Sequence, residues 1–550
     1  MLPTPTLFRC LREGYHAADL RADLAAGLLV GVVALPLSIG LAIASGCSPA
    51  QGLVTAIVGG LVVSLLGGSR VQIGGPAGAF VGLCALGVGQ FGYGGLAVAT
   101  LMAGLLILGL GMARLGKAIT YIPIPVVIGF TTGIAVVIAS TQLAPTLGII
   151  EPAKPLAHVH ERLGYLWDHR AEVAVAPVAL CLGTMAVIGL LRRLAPRAPG
   201  ALIAVVVATI AAGFLPVATI HSRFGDLPAG LPAPSLPDLG LGAGWTWSDL
   251  INRLRDLSSL ALAIALLGSI ESLLSAVVAD GLSGDRHHSD TELVAQGVAN
   301  LLSPLFGGLP VTGVIARTST NIRAGARTPV AGIVHALTIL AAVLVAAPLV
   351  GHIPLAALAG VLLTVCWHMA EWRHWPHILK AGRSDAFLLP LACGLTVFLD
   401  LTWAVVVGVL LAMFFFVRRM AEATTVTRSR ERTEAFLTEP LPAGIEVYEV
   451  RGPFFFGAAT LLRDLDDQLG EHHRALILRL PQVPFVDATA AFGLRDLHAS
   501  CARRGTRLIL CEVGERASQD LRRHGIAALL GTGGLCADLA SAVVTARAAL

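Results

Sequence analysis

Charge is too scarce in this chain for water to be its main solvent. Only 13% of its 550 residues are Asp, Glu, Lys or Arg, against about 25% in a typical soluble domain. The apolar residues, 55% of the total, are gathered into long runs. A helix needs about 20 such residues to cross the hydrocarbon layer of a bilayer. Runs of that order lie near 24–45, 50–67, 95–113, 119–144, 172–191, 199–218, 257–279, 328–350, 353–370, 384–400 and 401–417. Shorter candidates, rich in Gly or Pro, lie near 75–91, 291–306 and 311–322. Together they predict an α-helical polytopic membrane domain of about fourteen spans. The first run follows a polar arm holding Arg9, Arg12 and Arg21, so it is expected to remain as a helix and not to be cleaved as a signal peptide.

Basic residues check the count, because cytoplasmic loops collect them. With the N-terminus inside, every second loop is cytoplasmic. Those loops hold Arg70; Arg114 and Lys117; Arg192, Arg193 and Arg197; Arg286; Arg323 and Arg327; and Arg373, Lys380 and Arg383. Arg418 and Arg419 close the last span. The opposite loops are acidic or nearly bare near 307–311, 351 and Asp400, while two longer ones near 151–171 and 219–252 mix both signs. The alternation implies both termini on the cytoplasmic side of a plasma membrane.

Beyond Arg419 the composition changes. Residues 420–437 are polar and charged (Glu422, Arg428, Arg430, Glu431, Arg432, Glu434) and read as a linker between a membrane domain, 1–419, and a small domain, 438–550. In the latter, strand candidates Ile445–Val450, Ala475–Leu480 and Thr506–Val513 alternate with helix candidates Ala458–Leu469, Ala490–Arg504 and Ala517–Arg523. That alternation predicts a mostly parallel sheet covered by helices.

Two segments break the apolar pattern in matching ways: Gly74-Gly75-Pro76-Ala77-Gly78-Ala79-Phe80 and Gly307-Gly308-Leu309-Pro310-Val311-Thr312-Gly313. Pro76 and Pro310 are 310 − 76 = 234 residues apart, and the spans opening near Leu24 and Leu257 are 257 − 24 = 233 apart. The near-equality implies two homologous halves of seven helices, inverted because seven is odd. Paired Gly/Pro-interrupted segments of this kind point to the binding site of a secondary transporter. A helix that starts inside the membrane offers free N–H groups and the positive end of its dipole, so two such starts make an anion site. Either segment alone reads equally well as a kink or a close helix contact; the matched pair favours the site.

Glu271 lies within the apolar run 257–279, where a carboxylate costs about 3 kcal/mol unless it faces a polar cavity or a partner. Ser275 is one turn further along the same face. Arg317 follows the second broken segment, within Ile315-Ala316-Arg317-Thr318-Ser319-Thr320-Asn321. One reading is a structural Glu271–Arg317 ion pair. The other makes Glu271 a proton acceptor whose protonation frees Arg317 for substrate. Ser38, after Leu35-Pro36-Leu37, is either a hydroxyl for the site or a serine bonded to its own helix. Gln72, Thr141 and Gln142 are weaker intramembrane polar signals.

The nine cysteines form no Cys-x-x-Cys pair and lie mostly in apolar runs, so they read as buried spectators. His287-His288, beside Asp285 and Asp290, reads as solvated loop and not as a metal site. A net charge of +4 does not suggest nucleic acid. There is no Walker loop and no nucleophile–base constellation, so neither an ATP-driven pump nor an enzyme is expected, nor any cofactor.

The run Asp23-Leu24-Ala25-Ala26-Gly27-Leu28 with Ala34-Leu35-Pro36, the Gly-Gly-Pro-Ala-Gly of 74–78, and Asn300-Leu301 through Gly307-Gly308 resemble the sulfate permease (SulP, solute carrier 26) anion transporters. The most specific match is Ala316-Arg317-Thr318 through Asn321, then Gly325-Ala326-Arg327-Thr328-Pro329. The tail resembles a STAS domain, the usual C-terminal partner in that family. The resemblance spans nearly the whole chain in the expected order. It implies a seven-plus-seven inverted repeat divided into core and gate, substrate held between the third and tenth helices, and alternating access by movement of the core. It also implies a homodimer. On that basis Ala77, Gly78 and Phe80 line one side of the site and Val314, Ile315, Ala316 and Arg317 the other, with Glu271 and Ser275 from the eighth helix for proton coupling. Proton-symporting members carry a carboxylate matching Glu271 near an arginine matching Arg317. Sodium-coupled bicarbonate members tend to have Asp and a small residue there. One departure concerns the turn Val486-Asp487-Ala488-Thr489, where Ala488 replaces the serine phosphorylated in STAS domains of the anti-sigma-antagonist type, and Thr489 comes one position late. A docking or dimer-tuning role is expected for this domain.

The sequence thus predicts a secondary active transporter that moves sulfate or a C4-dicarboxylate with protons. A sodium-coupled bicarbonate transporter, a nucleobase permease, a passive anion channel and a STAS signalling scaffold are the competing readings.

Overall fold

The structure, a computed structural model, describes residues 4–117, 123–150, 152, 156, 158–195, 198–226, 228, 230–240, 246–399, 401–429, 440–468 and 473–548. Arg197, Asp400 and the linker residues 430–437 lie outside the described residues. The chain divides into two compact units, Met1–Val409 and Leu410–Leu550.

The first unit is helical. Among the described residues, seven helices are long and apolar enough to cross a membrane, and Gly200–Ala212 and Leu355–Met369 are shorter apolar helices. The stretch Gly78–Met112 is divided at Gly92, which takes φ 73° and ψ 176°, a conformation only glycine adopts freely. With that break, and with Ser289–Leu305, Ile315–Arg323, Arg383–Phe398 and Leu401–Ala423, the described span-forming helices number fourteen. Glycine sets how closely they pack. A Cβ on Gly27 would lie 2.4 Å from Ala331 O, and one on Gly31 2.6 Å from Thr338 Cβ, so the helices Ala17–Ala44 and Val330–Gly351 touch backbone to backbone. Helices that share lipid as solvent gain their mutual affinity from such close packing.

At the centre, strands β1 (Gly74–Gly75) and β2 (Thr312–Gly313) pair antiparallel, Gly74 opposite Gly313 and Gly75 opposite Thr312. Each leads within three residues into a helix, the first at Gly78 and the second at Ile315. Because the strands run in opposite directions, so do the chains leaving them, which is the inverted relation of the halves. The prolines that suggested this relation are not equivalents: Pro76 follows β1, whereas Pro310 precedes β2. Gly75 and Gly313 occupy matching places, each the last residue of its strand, at an offset of 313 − 75 = 238.

Non-helical backbone at membrane depth persists only where protein satisfies it. A π turn, Thr55–Gly59, interrupts the second span, and Leu309 N donates to Thr55 Oγ1 at 2.7 Å. Asn300 acts as a third strand would. Its Nδ2 donates to Val311 O at 2.8 Å, and its Oδ1 accepts from Val311 N at 2.9 Å. Ser303 Oγ donates to Leu309 O at 2.7 Å, and Tyr93 OH to Gly308 O at 2.9 Å.

The second unit contains a five-stranded sheet, in the order β3 (Thr425–Arg428), β4 (Ile445–Arg451), β5 (Ala475–Gln482), β6 (Arg507–Cys511) and β7 (Leu535–Cys536). Strands β4 to β7 are parallel, as expected, and β3 is antiparallel to β4. Helices Ala488–Arg503 and Glu515–Arg523 pack on one face and Leu539–Arg547 on the other. Strand β3 falls in the stretch that reads as linker. It is polar because it is an edge strand, with Val426 packing on the core. The elements Ile526–Leu530, β7 and Leu539–Arg547 were not anticipated from sequence. Asp487 caps the helix Ala488–Arg503, accepting from Ala490 N at 2.7 Å, and leaves Thr489 exposed.

Candidate functional site

Two helix starts meet at the β1–β2 pair. Their N-cap residues, Ala77 (φ −119°, ψ 149°) and Val314 (φ −108°, ψ 108°), are extended, and no side chain caps either start. Phe80 N already reaches Ala77 O at 3.2 Å, but the N–H groups that open a helix have no acceptor within it, the arrangement that suits an anion. Gly78 is half-buried. A Cβ there would lie 2.9 Å from Ile138 Cδ1 and 3.6 Å from Met369 Sδ, so the helices Ile124–Leu147 and Leu355–Met369 stand directly against this start. Phe80 is buried and packs on Gly268 of the helix Trp247–Ser283. On the other side Val314 and Ile315 are half-buried, and Ala316 is exposed.

Arg317 is 2% exposed, among the largest buried side chains of the protein. Its Nη2 donates to Ser38 Oγ at 3.0 Å, while Nε and Nη1 have no hydrogen-bond partner. Ser38 Oγ in turn donates to Ala34 O at 2.8 Å. The proton of Ser38 thus serves its own helix, as one sequence reading had it, and its lone pair serves Arg317. The guanidinium lies on Gly75, where a Cβ would be 2.6 Å from Nη1.

The counterpart glycine is covered in the same way. A Cβ on Gly313 would be 1.6 Å from Gln72 Nε2, which donates to Ser272 O at 3.0 Å. Gln72 Oε1 is buried without a partner. Each half thus lays one polar side chain over the other half's counterpart glycine. Gln72 was among the weak signals; the equivalence of Gly75 and Gly313, had it been seen, would have raised it.

Glu271 and Arg317 do not form the ion pair that the sequence suggested. Arg317 bonds Ser38 instead, and Glu271, 8% exposed, has no hydrogen bond or ion pair among the described residues. Ser275 is fully buried and lies 3.3 Å, oxygen to oxygen, from Thr318 Oγ1. Thr318 Oγ1 also accepts from Ile73 N at 3.0 Å. Ser275 therefore ties its helix to the one carrying Arg317. The contacts made by Thr318, Asn300 and Thr55 escaped sequence reasoning, because a hydroxyl or amide inside an apolar run does not announce its distant backbone partner. Thr141 and Gln142 bond each other at 2.6 Å, and Thr141 bonds Ile138 O at 2.7 Å.

Comparison with known proteins bears on what these parts belong to. The sequence model of the sulfate permease family matches residues 20–392, and that of the STAS domain matches 441–542. The putative sulfate transporter YvdB of Bacillus subtilis (strain 168) is 37% identical over 521 residues, which cover 94% of this chain and 95% of that one. The bicarbonate transporter BicA of Picosynechococcus sp. is 30% identical over 88% of this chain and 86% of its own. Among solved structures, the murine Slc26a9 anion transporter in its inward-facing state has a TM-score of 0.85 at 16% identity, covering 99% of this chain and 94% of that one, a likeness of fold alone. The transmembrane domain of a cyanobacterial BicA has a TM-score of 0.60 at 30% identity and covers 72% of this chain and 98% of that one. With a family match running through both half-helices and a relative aligned from end to end, the chain belongs to the sulfate permease family, as a multi-pass membrane anion transporter with a C-terminal STAS domain.

Proposed function

We propose that this protein is a secondary active symporter that couples movement of a small divalent anion, sulfate or a C4-dicarboxylate, to protons. The observation that carries the reading is the buried Arg317 guanidinium, with two unsatisfied nitrogens, at an uncapped helix start beside a second uncapped start. Each start contributes about half a positive charge, and Arg317 a whole one, so the site offers an anion about two positive charges. An ionised Glu271 cancels one of them, and protonation restores it. By linkage a divalent anion then binds together with a proton, and carrying both across is symport. The helices against Gly78 serve as gate, and rocking of the core beside them gives alternating access. Ala77, Gly78, Phe80, Val314, Ile315, Ala316, Arg317 and Ser38 line or support the substrate site. Glu271 and Ser275 form the coupling arm. The protein works as a homodimer in the plasma membrane, with both termini and the STAS domain in the cytoplasm.

The relative named a putative sulfate transporter supports a divalent substrate. The relatives named as bicarbonate transporters, at 30% identity, favour bicarbonate as the second substrate reading; the sodium-coupled form of it, suggested by the family resemblance, is opposed by the presence of both Glu271 and Arg317. The test is uptake of labelled sulfate, succinate and bicarbonate into proteoliposomes, with and without an inward proton gradient or sodium, for wild type, Glu271→Gln and Arg317→Ala. One divalent anion is expected to enter faster under the gradient. Glu271→Gln should abolish the acceleration, and Arg317→Ala should lower uptake at least tenfold. Uptake indifferent to the gradient, with Glu271→Gln equal to wild type, would sink the coupling role.

A further inference from the structure

The last strand pair of the STAS domain brings two cysteines side by side. In the parallel pairing of β6 with β7, Leu510 stands opposite Leu535 and Cys511 opposite Cys536. Neighbouring strands lie about 4.8 Å apart, inside the window of about 4.4–6.8 Å between Cα atoms that a disulfide needs. Both side chains face the same way. Cys511 is fully buried in the cluster beneath the helix Leu539–Arg547, and Cys536 packs on that cluster. The other cysteine of this domain, Cys501, belongs to the opposite face of the sheet. Cys536 is half-buried, its Sγ 3.4 Å from Gly533 O and 3.7 Å from Thr545 Oγ1. Both thiols are free.

We propose that Cys511 and Cys536 are a redox-responsive dithiol that a peroxide closes to a disulfide, pinning the last strand of the STAS sheet. Cys536 is the entry point because it alone is partly accessible. Its thiolate attacks the O–O bond of hydrogen peroxide, giving a sulfenic acid and hydroxide, which takes up the thiol proton as water. Cys511 then attacks that sulfur, the S–S bond forms, and the sulfenic oxygen leaves as a second water with the Cys511 proton. Two thiols lose two protons and two electrons, and one peroxide becomes two waters. Burial pushes the Cys511 thiol up to about 12, so it is not the first to react with peroxide, and its attack on the Cys536 sulfenic acid relies on their adjacency in the strand register.

Two features make the bond a labile one. Cβ atoms side by side on neighbouring strands stand farther apart than the roughly 3.8 Å of a relaxed disulfide, and a strained bond is more easily reduced. Glu512, next to Cys511, is held at φ 56°, with its carboxylate gripped by Arg479 at 2.9 and 3.2 Å. Backbone strain of this kind collects at switch regions. β7 is only two residues long and lies at the sheet edge, so closure requires few ladder contacts to adjust.

The test uses the purified full-length protein. It is treated with hydrogen peroxide, unfolded under acid, alkylated and mapped by peptide mass. A linked peptide pair containing Cys511 and Cys536, two hydrogens lighter than the free pair and released by dithiothreitol, is expected. Phenylarsine oxide, which bridges only close thiols, should bind wild type with one more equivalent than either Cys511→Ala or Cys536→Ser. The second variant keeps the test sound if the buried substitution does not fold. Full alkylation of both cysteines after peroxide, Cys536 oxidised to sulfinic acid with Cys511 untouched, or equal arsenical binding by wild type and Cys536→Ser would each overturn the proposal.

Discussion

At Gly75 the space that a side chain needs is already taken. Arg317 Nη1 would be 2.6 Å from a new methyl group, and both Arg317 Nη1 and Nε are unsatisfied, so the guanidinium has little to hold it except Ser38 and this close fit. Gly75→Ala is expected to displace it and to lower anion uptake at least tenfold. Gly313→Ala meets Gln72 at 1.6 Å and should lower uptake in the same way. Uptake in proteoliposomes, read beside the unfolding temperature of each variant, checks this. Normal transport by both would show that the polar side chains over the two glycines are not placed for substrate. Arg317 and Glu271 were visible in the sequence because charge inside an apolar run is expensive. Their partners were not visible. Sequence reasoning joined them to each other, whereas Arg317 reaches Ser38, 279 residues away, in a different helix.

The broken segment before the tenth span holds its shape through side chains from other helices. Asn300 occupies both the N–H and the C=O of Val311, so removing it leaves one donor and one acceptor buried. Each such group costs about 1–3 kcal/mol. Asn300→Leu should therefore destabilise the protein by about 2–6 kcal/mol, seen as a lower midpoint of thermal unfolding in detergent. Asn300→Asp keeps an acceptor for Val311 N–H but sets a carboxylate oxygen against Val311 O, so it too should lower the midpoint. Equal midpoints for wild type and Asn300→Leu would mean that the segment is held by its other contacts. At this scale the helices were legible from the length of their apolar runs, and the kink at Gly92 from the gap between the candidates 75–91 and 95–113. The two-residue strands were not legible, since a strand so short has no period to read.

The two units differ in how they are stabilised, and the point where the second begins has a measurable consequence. β3 covers the edge of β4, with Arg428 Nε donating to Glu446 Oε2 at 2.7 Å and Ser429 N to Val447 O at 2.9 Å. A fragment starting at 438 exposes that edge, and an unpaired edge invites aggregation. A fragment of residues 424–550 should unfold at a temperature several degrees higher than one of 438–550 and stay monomeric longer, by calorimetry and light scattering. Identical behaviour would show that β3 is dispensable.

By itself the sequence determined the solvent of each part, the number of spans, the inverted relation of the halves and the alternation of strands and helices in the tail. These follow from composition and from patterns within a few tens of residues, where lipid or water acts on each segment separately. Only the tertiary structure decided that Gly75 answers Gly313, that Arg317 lies on one and Gln72 on the other, and that Cys511 meets Cys536. Those are matters of register between segments remote in the chain. Register is set by which side chains fit against which backbone once the helices have packed, and no local pattern carries that information.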